Sequence, residues 1–393
     1  MTFNFDEVID RRGTNSMKWD QGAQRLTREQ HQADPLPMWV ADMDFRIAPA
    51  ISQALHKMVD MGVLGYGGTT ASCAEAVIDW HARRFGWKPQ ADWLTQASGV
   101  VHAMSMTIQA FSQPGDHVVV QTPVYAHFLN DAAVNGRRVI QAPLRLEGDK
   151  YRFDPESFEA ALLPGTKIFI LCNPHNPTGN VWTKDELLLM ADICERHNIL
   201  IVSDEVHEDF VMSEHKRHIP FASLDHDWAM RSVVCNAPSK TFNLAGLTCA
   251  NVFISDPYLR RDFRAQCEKS GVTLINTMGI AACEAAYSFG EPWVKAMLSY
   301  VRANHEHLRS RAAELGLPFK MMQMDALYLA WLDFRELGMT SLELHDYLLR
   351  KARLWLDPGQ KFGPAGQGFA RINLACPRST IDEALARLKA AFR

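Results

Sequence analysis

The chain has 393 residues, 47% hydrophobic and 22% charged, with a formal net charge of −4. That length exceeds one ordinary domain and can bury a large core. Lys and Arg are spread evenly, which excludes a basic nucleic-acid stripe and an acidic solvating tail.

The amino terminus, Met1-Thr2-Phe3-Asn4-Phe5-Asp6-Glu7, has no basic stretch followed by an apolar one, so no secretion signal is expected. Residues 1–48 read as an arm that packs on the rest and forms part of the small domain. Phe5, Val8 and Ile9 suit one helical turn, which Arg11-Arg12-Gly13-Thr14-Asn15 ends. Trp39-Val40-Ala41-Asp42-Met43-Asp44-Phe45 is too apolar for solvent. Its acidic pair suggests a metal less readily than turn and cap residues, because no histidine is near; no metal is expected.

Pro49 to Val59 has proline near its start and one apolar face, Ile51, Leu55, Met58 and Val59, and predicts a helix. Tyr66 follows among glycines, presented by flexible backbone. Cys73 to Phe85 predicts a second helix. Ser98 and Gly99 open the helical run from Val100, a helix start whose free amides can bind an anion. From there short apolar strands alternate with amphipathic helices. The strands are His117 to Gln121, Val139 to Ala142, Lys167 to Cys172, Ile199 to Ser203, Ser232 to Cys235 and Asn251 to Ile254. Thr183 and Glu186 form a capping box ahead of the helix to His197. Such alternation predicts a largely parallel sheet covered on both faces, with ligands at the carboxyl ends of its strands.

Tyr125, Asn173, Asp204 and Lys240 all lie just past strand ends. Each has an ordinary reading: a core tyrosine, a turn asparagine, a helix cap, a surface lysine. Together they suit one ligand. An amine near a buried strand end costs several kcal/mol to desolvate, and a lysine of lowered pKa is what imine chemistry needs. A buried carboxylate such as Asp204 calls for a facing cation. Ser239 and the amides from Ser98 to Val100 suit a phosphate. After Asn276 the pattern changes to long helices (Met278 to Ser288, Trp293 to Leu315) and short strands. Large and small domains are therefore expected at 49–288 and 289–393. His305-Glu306-His307 reads as a solvated face, and the run Gly363 to Gly368 as a loop near the site. The eight cysteines form no Cys-x-x-Cys pair and read as buried hydrophobes in a reducing, cytoplasmic setting. No apolar run reaches the roughly 20 residues that span a bilayer.

Asn173-Pro174-His175-Asn176-Pro177-Thr178-Gly179, Asp204-Glu205-Val206-His207 and Ser239-Lys240-Thr241-Phe242-Asn243 resemble the signatures of fold-type I pyridoxal phosphate enzymes, aminotransferase class I/II. Phe5 to Arg12, Trp39 to Phe45, Tyr328 to Asp333 and Arg371 to Arg378 are similar to the cystathionine and cysteine-S-conjugate β-lyase branch. The resemblance implies an α/β fold with a mostly parallel seven-stranded sheet between helices and a smaller α+β domain. It implies pyridoxal 5'-phosphate held by Lys240 as imine, Asp204 at the ring nitrogen, Asn173 at the ring oxygen and Tyr125 on the ring face. Gly99, Val100, Val101, Ser239, His207 and, across a homodimer, Tyr66 would complete the cofactor site. Arg371, with Ala41 and Asn173, would hold the substrate. Lys240, Tyr125 and Asp204 would be catalytic. Two positions depart from many aminotransferases: Ala237 stands for a phosphate-binding serine and Thr248 for an arginine. The implied reaction is α,β-elimination from L-cystathionine or another L-cysteine S-conjugate. The alternatives are transamination to a 2-oxo acid and cofactor binding without turnover.

Overall fold

The structure, a computed structural model, describes residues 3–392; Met1 and Thr2 of the stretch read for a signal, and Arg393, lie outside the described residues. The large domain opens with helices α1 (Pro49–Met61) and α2 (Ala71–Phe85). It continues through β1 (Leu94–Ala97), α3 (Val100–Phe111), β2 (His117–Thr122), α4 (Ala126–Val134), β3 (Arg138–Pro143), β4 (Thr166–Cys172) and α5 (Lys184–Arg196). Then come β5 (Leu200–Asp204), β6 (Ser232–Asn236), β7 (Ala250–Phe253), α6 (Pro257–Lys269) and α7 (Thr277–Phe289).

The seven strands stand in the order β1-β7-β6-β5-β4-β2-β3. The five from β6 to β3 pair in parallel, while β7 runs antiparallel to both its neighbours. Successive side chains point to opposite faces, and both faces are apolar. Phe169, Leu171, Ile201 and Val234 pack with Trp80, Leu187 and Ile280 on one side. Ile168, Ile170, Val202 and Val233 pack with Met104, Phe128 and Phe263 on the other. Burying each such side chain contributes about 1.5–3 kcal/mol. The capping box forms: the Thr183 N–H donates to Glu186 Oε2 (2.8 Å) and the Glu186 N–H to Thr183 Oγ1 (3.2 Å).

α8 (Glu291–Glu314) follows Gly290; Trp293, Val294, Met297 and Val301 of its first half pack in the large core, and Leu308 and Ala312 of its second half pack in the core of the smaller unit. That unit's antiparallel sheet has the order β8 (Lys320–Met321), β9 (Leu329–Asp333), β11 (Phe369–Asn373), β10 (Asp357–Pro358), with α9 (Ser341–Arg350) and α10 (Arg378–Ala391) packed against it. The arm joins this unit, since Leu36–Pro37 pairs in parallel with Leu354–Trp355.

Several expectations need correction. Residues 5–9 form no helical turn, because Phe5 is spent packing on Phe45, Trp293 and Tyr300. Asp42 and Asp44 are neither cap residues nor a metal pair. Asp44 takes the Lys18 ammonium at 2.5 Å and Arg11 at 2.7 Å, and Arg11 also reaches Asp42 at 2.6 Å. Burial raises the Asp44 carboxyl, but those cations outweigh it and leave it below its usual range. His305 is not solvated: its ring donates to the Leu327 carbonyl (2.8 Å), and burial pushes it down to about 4.

Candidate functional site

Three strands end level with one another. Cys172, Asp204 and Cys235 lie in one row across β4, β5 and β6. Just beyond, the Asn173 N–H donates to the Asp204 carbonyl (2.9 Å) and the Glu205 N–H to the Cys235 carbonyl (2.7 Å). Past β6 the chain makes a single helical turn, Pro238–Thr241, with proline in its first turn. This turn holds Lys240 partly buried over the strand ends.

Lys240 Nζ donates to the Ala41 carbonyl at 3.0 Å. Burial and the nearby Arg371 charge lower its pKa to about 8, against the opposing pull of Asp42 and Asp204. Asp204 is buried, and burial raises it to about 7, partly offset by the Val206 N–H and the Lys240 charge. The Val206 N–H (3.0 Å) is the only hydrogen bond its side chain receives among the described residues. Desolvation disfavours the charged form of both groups.

The segment carrying Ala41 is fastened from two sides. Asn243, at φ 58°, accepts the Met43 N–H (2.9 Å) and donates to the carbonyls of Met43 (3.0 Å) and Phe45 (3.1 Å). Asn373 donates to the carbonyls of Val40 (2.7 Å) and Asp42 (2.6 Å). The Ala41 carbonyl also accepts the hydroxyl of the buried Tyr328 at 2.8 Å.

Arg371 is 3% exposed. Nη1 donates to Asn176 Oδ1 (2.9 Å), and Nη2 to Asp357 Oδ2 (2.7 Å) and the Trp39 carbonyl (3.2 Å). Tyr125 precedes α4 beneath the charges of Arg371, Asp204 and Asp357; burial raises its hydroxyl to about 12. His207 is buried, and burial with the Lys240 and Arg371 charges keeps it well below its usual range. Lys240, Asp204, Arg371, Tyr125, His207 and Ala41 are thus brought together.

The remaining expected residues are less directly engaged. Asn173 is fully buried, donates from Nδ2 to the Ile219 carbonyl (3.1 Å), and leaves Oδ1 without a partner. Gly99, at φ 98°, is the residue before α3, a conformation that favours glycine. The Val100 and Val101 amides are in the first turn, so no carbonyl of α3 receives them. Ser239 is half-buried. Tyr66 is 99% exposed and touches none of these groups, so this chain alone does not bring it to the site. The sequence reading missed Asn176, Asp357 and Tyr328 as partners of site groups. Asn176 had a signal, the second Asn-Pro of its motif; Asp357 lies in a two-residue strand with none.

The sequence model for aminotransferase class I and II matches residues 38–388. The chain belongs to that family. It is 42% identical over 390 residues to "Cystathionine beta-lyase PatB" of Bacillus subtilis (strain 168), covering 99% of this chain and 100% of that protein. The solved cystalysin from Treponema denticola, which contains a pyridoxal 5'-phosphate cofactor, superposes with a TM-score of 0.94 at 33% identity, covering 100% of this chain and 99% of that one. The PLP-bound C–S lyase from Staphylococcus hominis superposes with a TM-score of 0.91 at 28% identity, covering 100% and 98%. The fold is that of the fold-type I enzymes, as the resemblance implied. Among the described residues no helix is long and apolar enough to cross a membrane.

Proposed function

We propose that this family member is a pyridoxal-phosphate-dependent carbon–sulfur β-lyase, splitting L-cystathionine or other L-cysteine S-conjugates, with one water consumed, into a thiol, pyruvate and ammonia. The observation that carries this reading is the convergence of Lys240 and Asp204, at adjoining strand ends, with Arg371 of β11, in a chain with full-length likeness to a cystathionine β-lyase. The residues fit the cofactor. Asp204 is a buried carboxylate with one protein donor, suited to a protonated ring nitrogen. The Val100 and Val101 amides and Ser239 suit a phosphate, and Asn173 keeps its second Nδ2 hydrogen for a ring oxygen. His207 Nδ1 is buried without a partner and completes the pocket.

When bound, pyridoxal phosphate holds the substrate amine covalently and draws electrons from Cα. Arg371 holds the substrate carboxylate and so orients Cα, with Ala41 and Asn173 as the other substrate-binding residues. Lys240 Nζ takes the Cα proton as general base. At a pKa of about 8, roughly a quarter of it is unprotonated at pH 7.5. Asp204 keeps the ring nitrogen protonated. Tyr125 lies against the ring and, protonated at neutral pH, is a donor for the departing thiolate. Tyr66 reaches the phosphate from a second copy of the chain. The exposed apolar Val63 and Leu64 beside it support burial in such a homodimer. With Ala237 and Thr248 at two positions where relatives bind phosphate, this contribution matters more. The substrate is a small amino acid, no nucleic acid or membrane is engaged, and the setting is cytoplasmic.

The test is purified protein with L-cystathionine and no 2-oxo acid, measuring pyruvate. Pyruvate supports the lyase. Turnover only with a 2-oxo acid acceptor makes it an aminotransferase, and no product from any cysteine conjugate removes the lyase reading.

A further inference from the structure

Arg371 and Asp357 stand directly opposite each other on the β10–β11 ladder. The sheet therefore holds a carboxylate permanently beside the guanidinium expected to receive the substrate's carboxylate. Asp357 is the only ion-pair partner of Arg371 among the described residues. A guanidinium has five N–H donors. Nη2 spends both of its own on Asp357 and Trp39, and Nη1 spends one on Asn176. One Nη1 hydrogen and the Nε–H remain, and Nε is buried without a partner. The plane of the guanidinium is further held against the Phe362 ring, 4.8 Å away.

The other oxygen of Asp357 is also engaged. It accepts Lys361 Nζ at 2.9 Å, and Lys361 is about half exposed. Asp357 thus divides one negative charge between a solvent-facing lysine and the buried arginine.

We infer that Asp357 is a positioning residue that turns Arg371 toward the ligand and, by cancelling part of its charge, limits how tightly the site grips a carboxylate, with Lys361 moderating that effect. The inference rests on the lyase reading only where it takes the ligand to be a substrate α-carboxylate.

The experiment uses full-length protein as purified, with propionate as the probe and binding followed by ligand NMR; KM and kcat for L-cystathionine are measured beside it. Asp357→Asn keeps an oxygen acceptor for Nη2 and removes the charge. Propionate should bind about tenfold tighter, with KM falling in parallel and kcat changing less. Lys361→Met places more of the Asp357 charge on Arg371, so propionate should bind about threefold weaker. That loss should shrink to under half in the Asp357→Asn background. Unchanged or weaker propionate binding in Asp357→Asn overturns the inference. So does a Lys361→Met effect of equal size in both backgrounds. If Asp357→Asn does not fold, an unchanged propionate affinity in Lys361→Met alone overturns it. Propionate shifts as expected, without pyruvate from any cysteine conjugate, would leave this inference standing while the lyase reading falls.

Discussion

Asp204 gives the sharpest quantitative expectation. In the cofactor-free protein, burial raises its pKa from 3.8 to about 7. A raised carboxyl favours the fold while protonated, so its contribution is complete below the unfolded value. It is lost as pH rises through about 7. Three pKa units correspond to about 4 kcal/mol at 1.36 kcal/mol per unit. Between pH 5 and pH 8 the loss grows by about 2–3 kcal/mol, because at pH 5 only the unfolded chain has ionised the group. Asp204→Asn keeps an oxygen for the Val206 N–H and has no charge to bury. The variant should therefore gain on the wild type by about that amount between the two pH values, in the cofactor-free state. Urea unfolding at one protein concentration, at pH 5 and pH 8, measures it, since other titrating groups cancel in the difference. With cofactor the sign reverses. A buried ion pair is lost, at a cost of about 3–5 kcal/mol, and cofactor retention and kcat should fall by at least about 100-fold. A variant that gains nothing on the wild type from pH 5 to pH 8 would refute the assignment of Asp204 as a desolvated anion awaiting a cation.

Three further outcomes follow from the geometry. Asn243→Ala removes three hydrogen bonds to the segment carrying Ala41 and puts alanine at φ 58°. A stability loss of about 3 kcal/mol by urea unfolding is expected, and an unchanged midpoint would show that the segment is held elsewhere. Asp131→Asn keeps an oxygen for His127 Nδ1, 3.1 Å away, but removes the carboxylate charge that helps raise His127. The His127 titration followed by NMR should move to lower pH; a rise or no movement contradicts the pairing. Tyr66→Phe should weaken cofactor retention on dialysis if a second copy supplies that hydroxyl, while leaving thermal unfolding of the cofactor-free protein unchanged. Retention equal to the wild type would exclude the role.

What the sequence determined by itself was local or carried by motifs. The apolar strands and the Thr183–Glu186 box are legible because burial on both faces and capping leave a pattern within a few residues. Lys240, Asp204 and Tyr125 were expected at a site because each sits at or just past the carboxyl end of a strand, where a parallel sheet gathers its ligands. Arg371 came from the resemblance alone. The antiparallel run of β7 left no such pattern, because a short buried strand reads the same in either direction. Only tertiary structure brought the Ala41 carbonyl to Lys240, 199 residues away, through the side chains of Asn243 and Asn373. It alone placed Asp357 across the ladder from Arg371 and turned Asn176 onto the same guanidinium. Those contacts depend on strand register and side-chain direction between distant segments. Register is set as the strands of the smaller sheet pair and direction as the arm packs beside them, and residue spacing along the chain encodes neither.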